Sequence, residues 1–285
     1  MNYILYNAKS NRGNSAEILK NLEEKLGEFK KINVLDEIDY EQLFNNAAAD
    51  DKFYLVGGDG TLNHFVNNVQ NIKINNEVWF CTAGTGNDFY NDMKDSKYQI
   101  DGMIHLNDLI KDLPIVTVNG KDYRFINGIG YGIDGYCCEV GDKKQLKSDK
   151  PVNYTKIAIG GLLFHYKTPN AKITIDGVTK EYRRVWLAPT MKGRFYGGGM
   201  MVSPNQNRLS EDNMVSLVVL HKSRKLKTLI VFPTIFKGEH IKHTEMVEVM
   251  RGHNIEVEFD RPTALQIDGE TIVGVTSYKV RTSQN

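Results

Sequence analysis

The amino-acid sequence predicts an α/β domain with a parallel sheet, followed by an all-β domain that forms an antiparallel sandwich. Three observations lead to this prediction. The 285 residues exceed what most single domains need. Apolar runs alternate with helical patterns as far as residue 114. Beyond that point the segments are short, rich in β-branched residues and separated by Asn-Gly and Asp-Gly turns.

The first domain is predicted to span residues 1–114. Its predicted strands are residues 2–6, 31–35, 52–56 and 77–82. Helices are predicted at residues 15–29 and 40–49, after Gly60, and after the glycine-rich turn at residues 84–88. The helix after Gly60 has apolar residues at the spacing i, i+3, i+4, i+7, namely Leu62, Phe65, Val66 and Val69. Strands that alternate with helices predict a parallel sheet with helices on its faces.

The second domain is predicted to span residues 115–285. Its strand-like segments are IVTVNG, YRFINGIGYGIDG, AKITIDG, RRVWLAP, MVSLVVL, NIEVEF, ALQIDGE and SYKVRT. Residues 152–165 and 226–237 are the helical exceptions. Cys137 and Cys138 are interpreted as core or strand residues and not as a redox pair. An open alternative is that the last ten or so residues return to the first domain.

Composition narrows the class of protein. The net charge of +1 gives no general case for nucleic-acid binding. Three cysteines without a CxxC spacing fit a reducing, cytoplasmic setting. The N-terminus reads as a first strand and not as a signal peptide, and no apolar run approaches the ~20 residues that span a bilayer. Membrane contact is therefore expected to be peripheral, at the inner face.

A glycine cluster, Gly57-Gly58-Asp59-Gly60, stands between a predicted strand and a helix that opens at Thr61. Such a turn points backbone N–H groups and the helix N-terminus at one spot, which suits phosphate. The glycines are expected to supply positive φ angles and close approach to the backbone. A carboxylate repels phosphate unless a cation intervenes, so Asp59 suggests Mg²⁺-nucleotide or a bond to a sugar hydroxyl.

Two further polar loops follow predicted strands, NAKSNRG at residues 7–13 and GTGND at residues 84–88. The carboxyl ends of parallel strands meet at one edge, where ligands bind. One glycine cluster alone is most often a plain turn, whereas three loops at one edge favour a pocket. None of them matches GxxxxGK[ST] or GxGxxG, so the pocket is of another kind.

Taken together, these motifs resemble the diacylglycerol kinase catalytic-domain family, which includes bacterial lipid kinases, sphingosine kinases and ceramide kinases. That family is distantly similar to NAD kinases and phosphofructokinases. The resemblance runs through the whole chain and rests on NAKSNRG, VGGDGTLNHFVN, GTGNDF, NGIGYGIDG, YGGGMMVSPNQNRLSEDNMVSLVVL and LQIDGE. An NAD kinase shares GGDGT, but the separate GTGNDF and the terminal DGE favour the lipid kinases.

The resemblance implies an ATP- and Mg²⁺-dependent lipid kinase with a cleft between its domains. Glu270 would be the general base, and Asp59 would help to hold Mg²⁺ or its waters. Nucleotide-binding residues would be Asn7, Lys9, Ser10, Arg12, Gly57, Gly58, Asp59, Gly60, Thr61, Asn63, Gly84, Thr85, Asn87 and Asp88. A structural Mg²⁺ would be held by Leu209, Asp212 and Met214. On the residues alone, Asp-Gly-Glu at a hairpin is most often a solvated turn, and His64 is a helix-surface residue.

The acceptor is expected to be diacylglycerol or a related lipid alcohol. The alternative is a nucleotide-binding kinase-like protein that acts on a non-lipid hydroxyl or lacks lipid kinase activity. That alternative is motivated by residues 187–193, LAPTMKG, which depart from the family pattern. Glu211-Asp212-Asn213 also replaces the family's Asp-Asp-Gly, although asparagine tolerates the positive φ of that turn.

Membrane contact has one candidate segment. Residues 222–227, KSRKLK, precede the apolar residues 229–236, LIVFPTIF. This pattern indicates either an interfacial segment that touches anionic headgroups or an ordinary surface turn that enters a packed helix. Exposed β edges also permit a homodimer.

Overall fold

Two compact units make up the chain, Met1–Leu113 and Pro114–Asn285. The computed structural model describes residues 1–8, 15–83, 87–147, 152 and 154–283. The N-terminal unit has the predicted α/β architecture, and the C-terminal unit is built around an antiparallel sheet, also as predicted.

A mixed sheet forms the centre of the N-terminal unit. Its strands are β1 Asn2–Tyr6, β2 Phe29–Asn33, β3 Lys52–Gly57, β4 Glu77–Thr82, β5 Gln99–Ile100 and β6 Met103–His105. They lie in the order β2-β1-β3-β4-β6-β5, and β1, β2, β3 and β4 are parallel. The antiparallel β5–β6 hairpin at the edge was not predicted, because its two strands are too short to show an alternating pattern.

Helices cover both faces of this sheet. They are α1 Ser15–Leu26, α2 Tyr40–Asn45, α3 Asp59–Asn68 and α4 Asp88–Met93. Leu22 of α1 packs with Ile4 and Tyr54 on one face. The neighbouring strand residue Phe53 points to the other face and meets Phe44 of α2. Since successive side chains of a strand point to opposite faces, both faces of the strands are apolar, as the continuous runs in the sequence indicate.

Several predicted boundaries are a few residues off. Helix α1 ends at Leu26 and not at residue 29, because Gly27 takes the left-handed conformation (φ 70°) that terminates helices. Strand β2 consequently begins at Phe29, two residues before its predicted start. Helix α2 ends at Asn45, four residues early.

The C-terminal unit contains an antiparallel sheet whose strands pair in the order β16-β15-β12-β9-β17-β18-β7-β8, with β10 and β11 attached to β17. These strands are β7 Ile115–Val118, β8 Lys121–Arg124, β9 Gly128–Tyr131, β10 Ala171–Ile175, β11 Val178–Tyr182, β12 Thr190–Met191, β15 Val215–Leu220, β16 Val247–Gly252, β17 Asn254–Ile267 and β18 Glu270–Arg281. A separate hairpin is formed by β13 Phe195–Tyr196 and β14 Met200–Met201.

Strand β17 is long enough to pair with two different strands on one of its sides. Its first half pairs with β10 and its second half pairs with β9, with register shifts between Glu258 and Leu265. Such shifts bend a strand and allow one strand to follow a change of sheet direction. Its partner β18 pairs with β7 as far as Arg281, so the last strand is part of the sheet of this unit.

The main error of the sequence interpretation is helix α5, Ile133–Gln145, where strand-like residues were predicted. Gly132 (φ 123°) ends β9 and redirects the chain into this helix. Gly135 then packs against β17, where an added Cβ would lie 1.9 Å from the Ala264 oxygen. Cys137 and Cys138 therefore lie on a helix and not on a strand, and burial raises the pKa of both thiols to about 12, which keeps them protonated.

Both predicted helices of this unit are present. Helix α6, Tyr154–Gly160, continues into a π turn at Gly161–His165. Helix α7, Lys225–Val231, continues into the 3-10 turns Phe232–Lys237 and Glu239–Lys242. Among the described residues, no helix combines the length and the apolar character needed to cross a membrane.

Candidate active site

Three strands of the N-terminal sheet end at the same edge, because β1, β3 and β4 are parallel and in register. The side chains that follow them are joined by hydrogen bonds. Asn7 Nδ2 donates to Thr61 Oγ1 (3.4 Å), and Thr82 Oγ1 donates to Asn87 Oδ1 (2.7 Å). The Ala83 N–H donates to the Gly57 carbonyl (2.8 Å). The structure thus brings together the predicted residues from all three strand ends.

Helix α3 opens directly after β3, with Gly58 as its N-cap. Its first intrahelical bond runs from the Leu62 N–H to the Gly58 carbonyl, so the amides of Gly60 and Thr61 have no acceptor within the helix. Gly58 contributes no side-chain cap. This geometry leaves the first turn open toward an anion.

Of the two purposes predicted for these glycines, the structure agrees with close approach to the backbone and not with positive φ. Positive φ was expected, but Gly58 has a φ of −98° and neither Gly57 nor Gly60 lies in the left-handed region. Gly57 is required for packing instead, because a Cβ there would lie 2.4 Å from Thr61 Oγ1. An added Cβ at Gly60 would meet nothing within 4 Å, which leaves the backbone of that position accessible.

Asp59 links the first glycine loop to the second. Its carboxylate is 8% exposed and accepts hydrogen bonds from the backbone N–H groups of Asp88 (Oδ2, 2.8 Å) and Phe89 (Oδ1, 3.1 Å). Asp59 therefore caps α4 from outside that helix. The Asp88 and Phe89 amides at the start of α4 therefore donate to protein. Each oxygen of Asp59 accepts one of these hydrogen bonds, so the carboxylate joins the start of α3 to the start of α4.

The remaining predicted nucleotide-binding residues fall into two groups. Asn63 is buried on α3, where Asn67 Nδ2 donates to its carbonyl (2.9 Å), and His64 beside it is exposed as expected. Asp88 is buried at the first turn of α4. Predicted residues outside the described part of the chain are Lys9, Ser10, Arg12, Gly84 and Thr85.

In the C-terminal unit, the Asp-Gly-Glu motif forms the turn between β17 and β18. Asp268 (φ 46°) and Gly269 (φ 101°) both have positive φ, as a two-residue hairpin requires. The Asp268 carboxylate accepts hydrogen bonds from three consecutive backbone N–H groups at the start of β9, those of Ile126 (2.6 Å), Asn127 (2.9 Å) and Gly128 (2.9 Å). Glu270 is the exposed first residue of β18. Asp268 thus anchors the turn, while Gly269 and Glu270 are exposed to solvent, as the residues alone suggest.

We expect Asp268→Asn to lower the free energy of unfolding by about 2–4 kcal/mol, because an amide oxygen replaces a charged acceptor and an NH₂ group faces backbone donors. Urea unfolding followed by circular dichroism measures this loss. Asp142→Asn, an exposed change on α5, serves as the control and should leave the midpoint unchanged. Equal midpoints for the two variants would contradict the anchoring role.

Leu209, Asp212 and Met214, the predicted structural Mg²⁺ ligands, lie in one turn whose Asn213 has the expected positive φ (51°). Protein donors contact two of these three residues. Both Asp212 oxygens lie 2.9 Å from Arg251 Nη2, and the Met214 carbonyl accepts a hydrogen bond from Gln206 Nε2 (2.9 Å).

These protein donors account for the charge of Asp212. The hydrogen bond from the Met214 N–H lowers the pKa of Asp212, and the Arg251 guanidinium lowers it further. Arg251 thus neutralises the carboxylate that the resemblance assigns to Mg²⁺.

We expect EDTA to shift the thermal unfolding midpoint by less than about 1 °C, since a metal that does not bind the native state cannot stabilise it. Differential scanning fluorimetry of dialysed protein, with EDTA or with excess Mg²⁺ and without nucleotide, measures the shift. A drop of several degrees in EDTA that Mg²⁺ reverses would restore the metal site.

One further candidate residue was missed, although it lies within the quoted NGIGYGIDG motif. Asp134 is buried in the first turn of α5, where it accepts hydrogen bonds from Tyr196 Oη (2.5 Å) and from the Gly135 N–H (3.0 Å). Burial raises the pKa of its carboxyl group. A Cβ at Gly130 would lie 2.2 Å from Asp134 Oδ2, so this glycine makes room for the carboxyl group.

Family comparisons agree with the two units. Residues 2–115 match the diacylglycerol kinase catalytic domain. Residues 127–282, more than half of the chain, match the YegS C-terminal NAD kinase beta sandwich-like domain. The chain belongs to the diacylglycerol kinase family. The resemblance drawn from GGDGT, GTGNDF and DGE is confirmed at this level.

Relatives of this diacylglycerol kinase family member are distant. "Putative lipid kinase YtlR" of Bacillus subtilis (strain 168) is 24% identical to this chain. The alignment covers 81% of this chain and 77% of the relative. "Diacylglycerol kinase" of Mycobacterium tuberculosis (strain H37Rv) is 26% identical to this chain. That alignment covers 74% of this chain and 68% of the relative. A crystal structure described as "a putative diacylglycerol kinase" from Bacillus anthracis superposes with a TM-score of 0.68 at 18% identity, covering 99% of this chain and 94% of the other. That superposition supports the fold.

Proposed function

We propose that this protein transfers the γ-phosphate of ATP, supplied as its Mg²⁺ complex, to the hydroxyl group of a lipid alcohol, with diacylglycerol as the first candidate. The observation that carries the proposal is the link made by Asp59. One carboxylate ties the loop after β3 to the start of α4 and leaves the first turn of α3 available to phosphate. The relatives named lipid kinase and diacylglycerol kinase support the choice of acceptor.

Phosphoryl transfer needs charge neutralisation, alignment and a group that accepts the hydroxyl proton. The amides of Gly60 and Thr61 and the dipole of α3 suit the polyphosphate, and Lys9 or Arg12 would add positive charge. Asn7 holds Thr61 from the neighbouring strand end. Glu270 is proposed as the proton acceptor, on a turn that Asp268 fixes. The Mg²⁺ that accompanies ATP shields the phosphate charges.

A non-lipid hydroxyl acceptor remains the second candidate, and one observation favours it. Within residues 187–193, Lys192 is 6% exposed and its ammonium group contacts Asn213 Oδ1. A buried cation in the segment that departs from the family pattern suits a polar or anionic acceptor better than an apolar one.

An acceptor panel separates these candidates. Purified protein is incubated with γ-labelled ATP and Mg²⁺ in the presence of a total lipid extract, NAD, or a soluble metabolite extract. We expect label in the organic phase with the lipid extract alone. Label that stays in a soluble metabolite would favour the second candidate, and labelled NADP would indicate an NAD kinase.

A further inference from the structure

The C-terminal unit exposes large apolar side chains on two neighbouring elements, a surface that the catalytic proposal does not use. Phe164 in the π turn after α6 is 75% exposed, and Leu226 and Ile230 of α7 are 73% and 74% exposed. Ile159 of α6 is 45% exposed. These four residues define the α6–α7 surface. Clustered exposure of this kind indicates an interaction site, whereas single exposed apolar residues do not.

Direct contacts hold the two elements side by side. Lys225 Nζ of α7 donates to the carbonyl of Leu163 in the π turn (2.8 Å). Leu226 follows Lys225 and Phe164 follows Leu163, so this bond brings these two apolar residues near one another. Leu226 and Ile230 are four residues apart and lie on one face of α7.

The opposite faces of the two elements are buried in a common core. Ile157 and Leu162 from the first element pack in the same cluster as Val231 and Ile235 from the second. The outward residues are therefore not needed to fill the core. Each element is an amphipathic segment whose inner face is fully used.

Positive charge borders the apolar residues. Lys222, Arg224 and Lys227 are exposed at the start of α7. Arg184 joins them, because its Nη2 donates to the Lys222 carbonyl (2.7 Å). Glu245 pairs with one of these basic residues, Lys227.

We propose that the α6–α7 surface docks on a bilayer that contains anionic lipids, with Phe164, Leu226 and Ile230 inserted among the acyl chains and the basic residues on the headgroups. An apolar face with a basic border is the pattern of interfacial segments. A second copy of the chain fits less well, since its basic border would oppose an identical one. The proposal deepens the lipid kinase function, because a bilayer presents a lipid alcohol.

Sedimentation with vesicles tests the surface. Wild-type protein is mixed with phosphatidylcholine vesicles that do or do not contain phosphatidylglycerol. We expect binding that depends on phosphatidylglycerol, and we expect the triple variant Phe164→Ser, Leu226→Ser, Ile230→Ser to lower the partition coefficient on the order of a hundredfold. All three residues are exposed, so the fold should persist, as thermal unfolding will verify.

Two comparisons make the test specific. Val178→Ser changes an equally exposed apolar residue (75%) on the β10–β11 hairpin and should leave vesicle binding unchanged. Lys222→Glu with Arg224→Glu should lower binding by roughly tenfold or more on phosphatidylglycerol vesicles, because anionic lipids attract each basic residue. It should have little effect with phosphatidylcholine alone.

The outcomes separate this proposal from the proposed function. Kinase activity on a short-chain diacylglycerol in detergent micelles reports the chemistry without a bilayer, and the triple variant should retain it. Vesicle binding without phosphorylation of any lipid would support the surface and refute the kinase proposal. Failure of the wild-type protein to bind, equal binding by the triple variant, or a dimer in solution that the triple variant dissociates would each overturn the surface proposal.

Discussion

Glu270→Gln is expected to lower kcat for lipid phosphorylation by roughly 10²–10⁴-fold, the usual range for loss of a general base. Glutamine has nearly the same shape but cannot accept the proton of the attacking hydroxyl. Glu270 is exposed at the first position of β18, so the substitution should leave stability and the KM for ATP unchanged.

The matched control for this substitution is Glu181→Gln, an exposed glutamate on β11. Initial rates at saturating ATP and varied lipid, together with unfolding midpoints, provide the comparison. An unchanged kcat in Glu270→Gln would remove Glu270 from the reaction and return Asp-Gly-Glu to a structural turn motif. A loss of stability equal to that of Asp268→Asn would show that the turn, and not the base, was damaged.

The second large effect is expected from Asp59→Ala. Without the carboxylate, the Asp88 and Phe89 amides lose their acceptor, and α4 is no longer tied to the loop after β3. We expect kcat/KM for ATP to fall by at least about 10²-fold, because misplacement by an ångström can cost that much. Stability should fall by about 1–3 kcal/mol.

A second helix cap provides the matched control. Asp39 caps α2 by accepting a hydrogen bond from the Gln42 N–H (2.9 Å), and it is not among the predicted nucleotide-binding residues. Asp39→Ala should cost about 1 kcal/mol of stability and leave ATP kinetics intact. Titration with Mg²⁺ adds a further test of Asp59. If the residue positions α4, excess Mg²⁺ will not rescue the variant. Rescue by Mg²⁺ would indicate a metal ligand.

Much of the N-terminal fold could be predicted because its strands and helices have strong periodic patterns. The run at residues 52–56 and the stripe from Leu62 to Val69 correspond to β3 and α3 within one or two residues. Predicted boundaries were wrong where a single residue determines the end of an element, as Gly27 does for α1. Helix α5 was not predicted because its position depends on the contact between Gly135 and β17, and no local sequence pattern indicates that contact.

In the candidate site, too, local sequence patterns indicate some features, and contacts between distant residues determine the others. Sequence motifs placed the candidate residues at the ends of strands, but they could not reveal which way a carboxylate points. Asp59 faces the amides of α4, and Asp268 faces the amides at the start of β9, which lie more than a hundred residues earlier in the chain. The pairing of Asp212 with Arg251 likewise depends on the register of β15 and β16, which only the folded sheet sets.

The most direct measurement is a transfer assay with γ-labelled ATP, Mg²⁺ and diacylglycerol in mixed micelles, with wild type, Glu270→Gln and Asp59→Ala in parallel. Products are separated by thin-layer chromatography. The lipid kinase account predicts labelled phosphatidic acid from the wild type and almost none from either variant. No labelled lipid from a wild-type protein that binds ATP, or equal product from the variants, would contradict it.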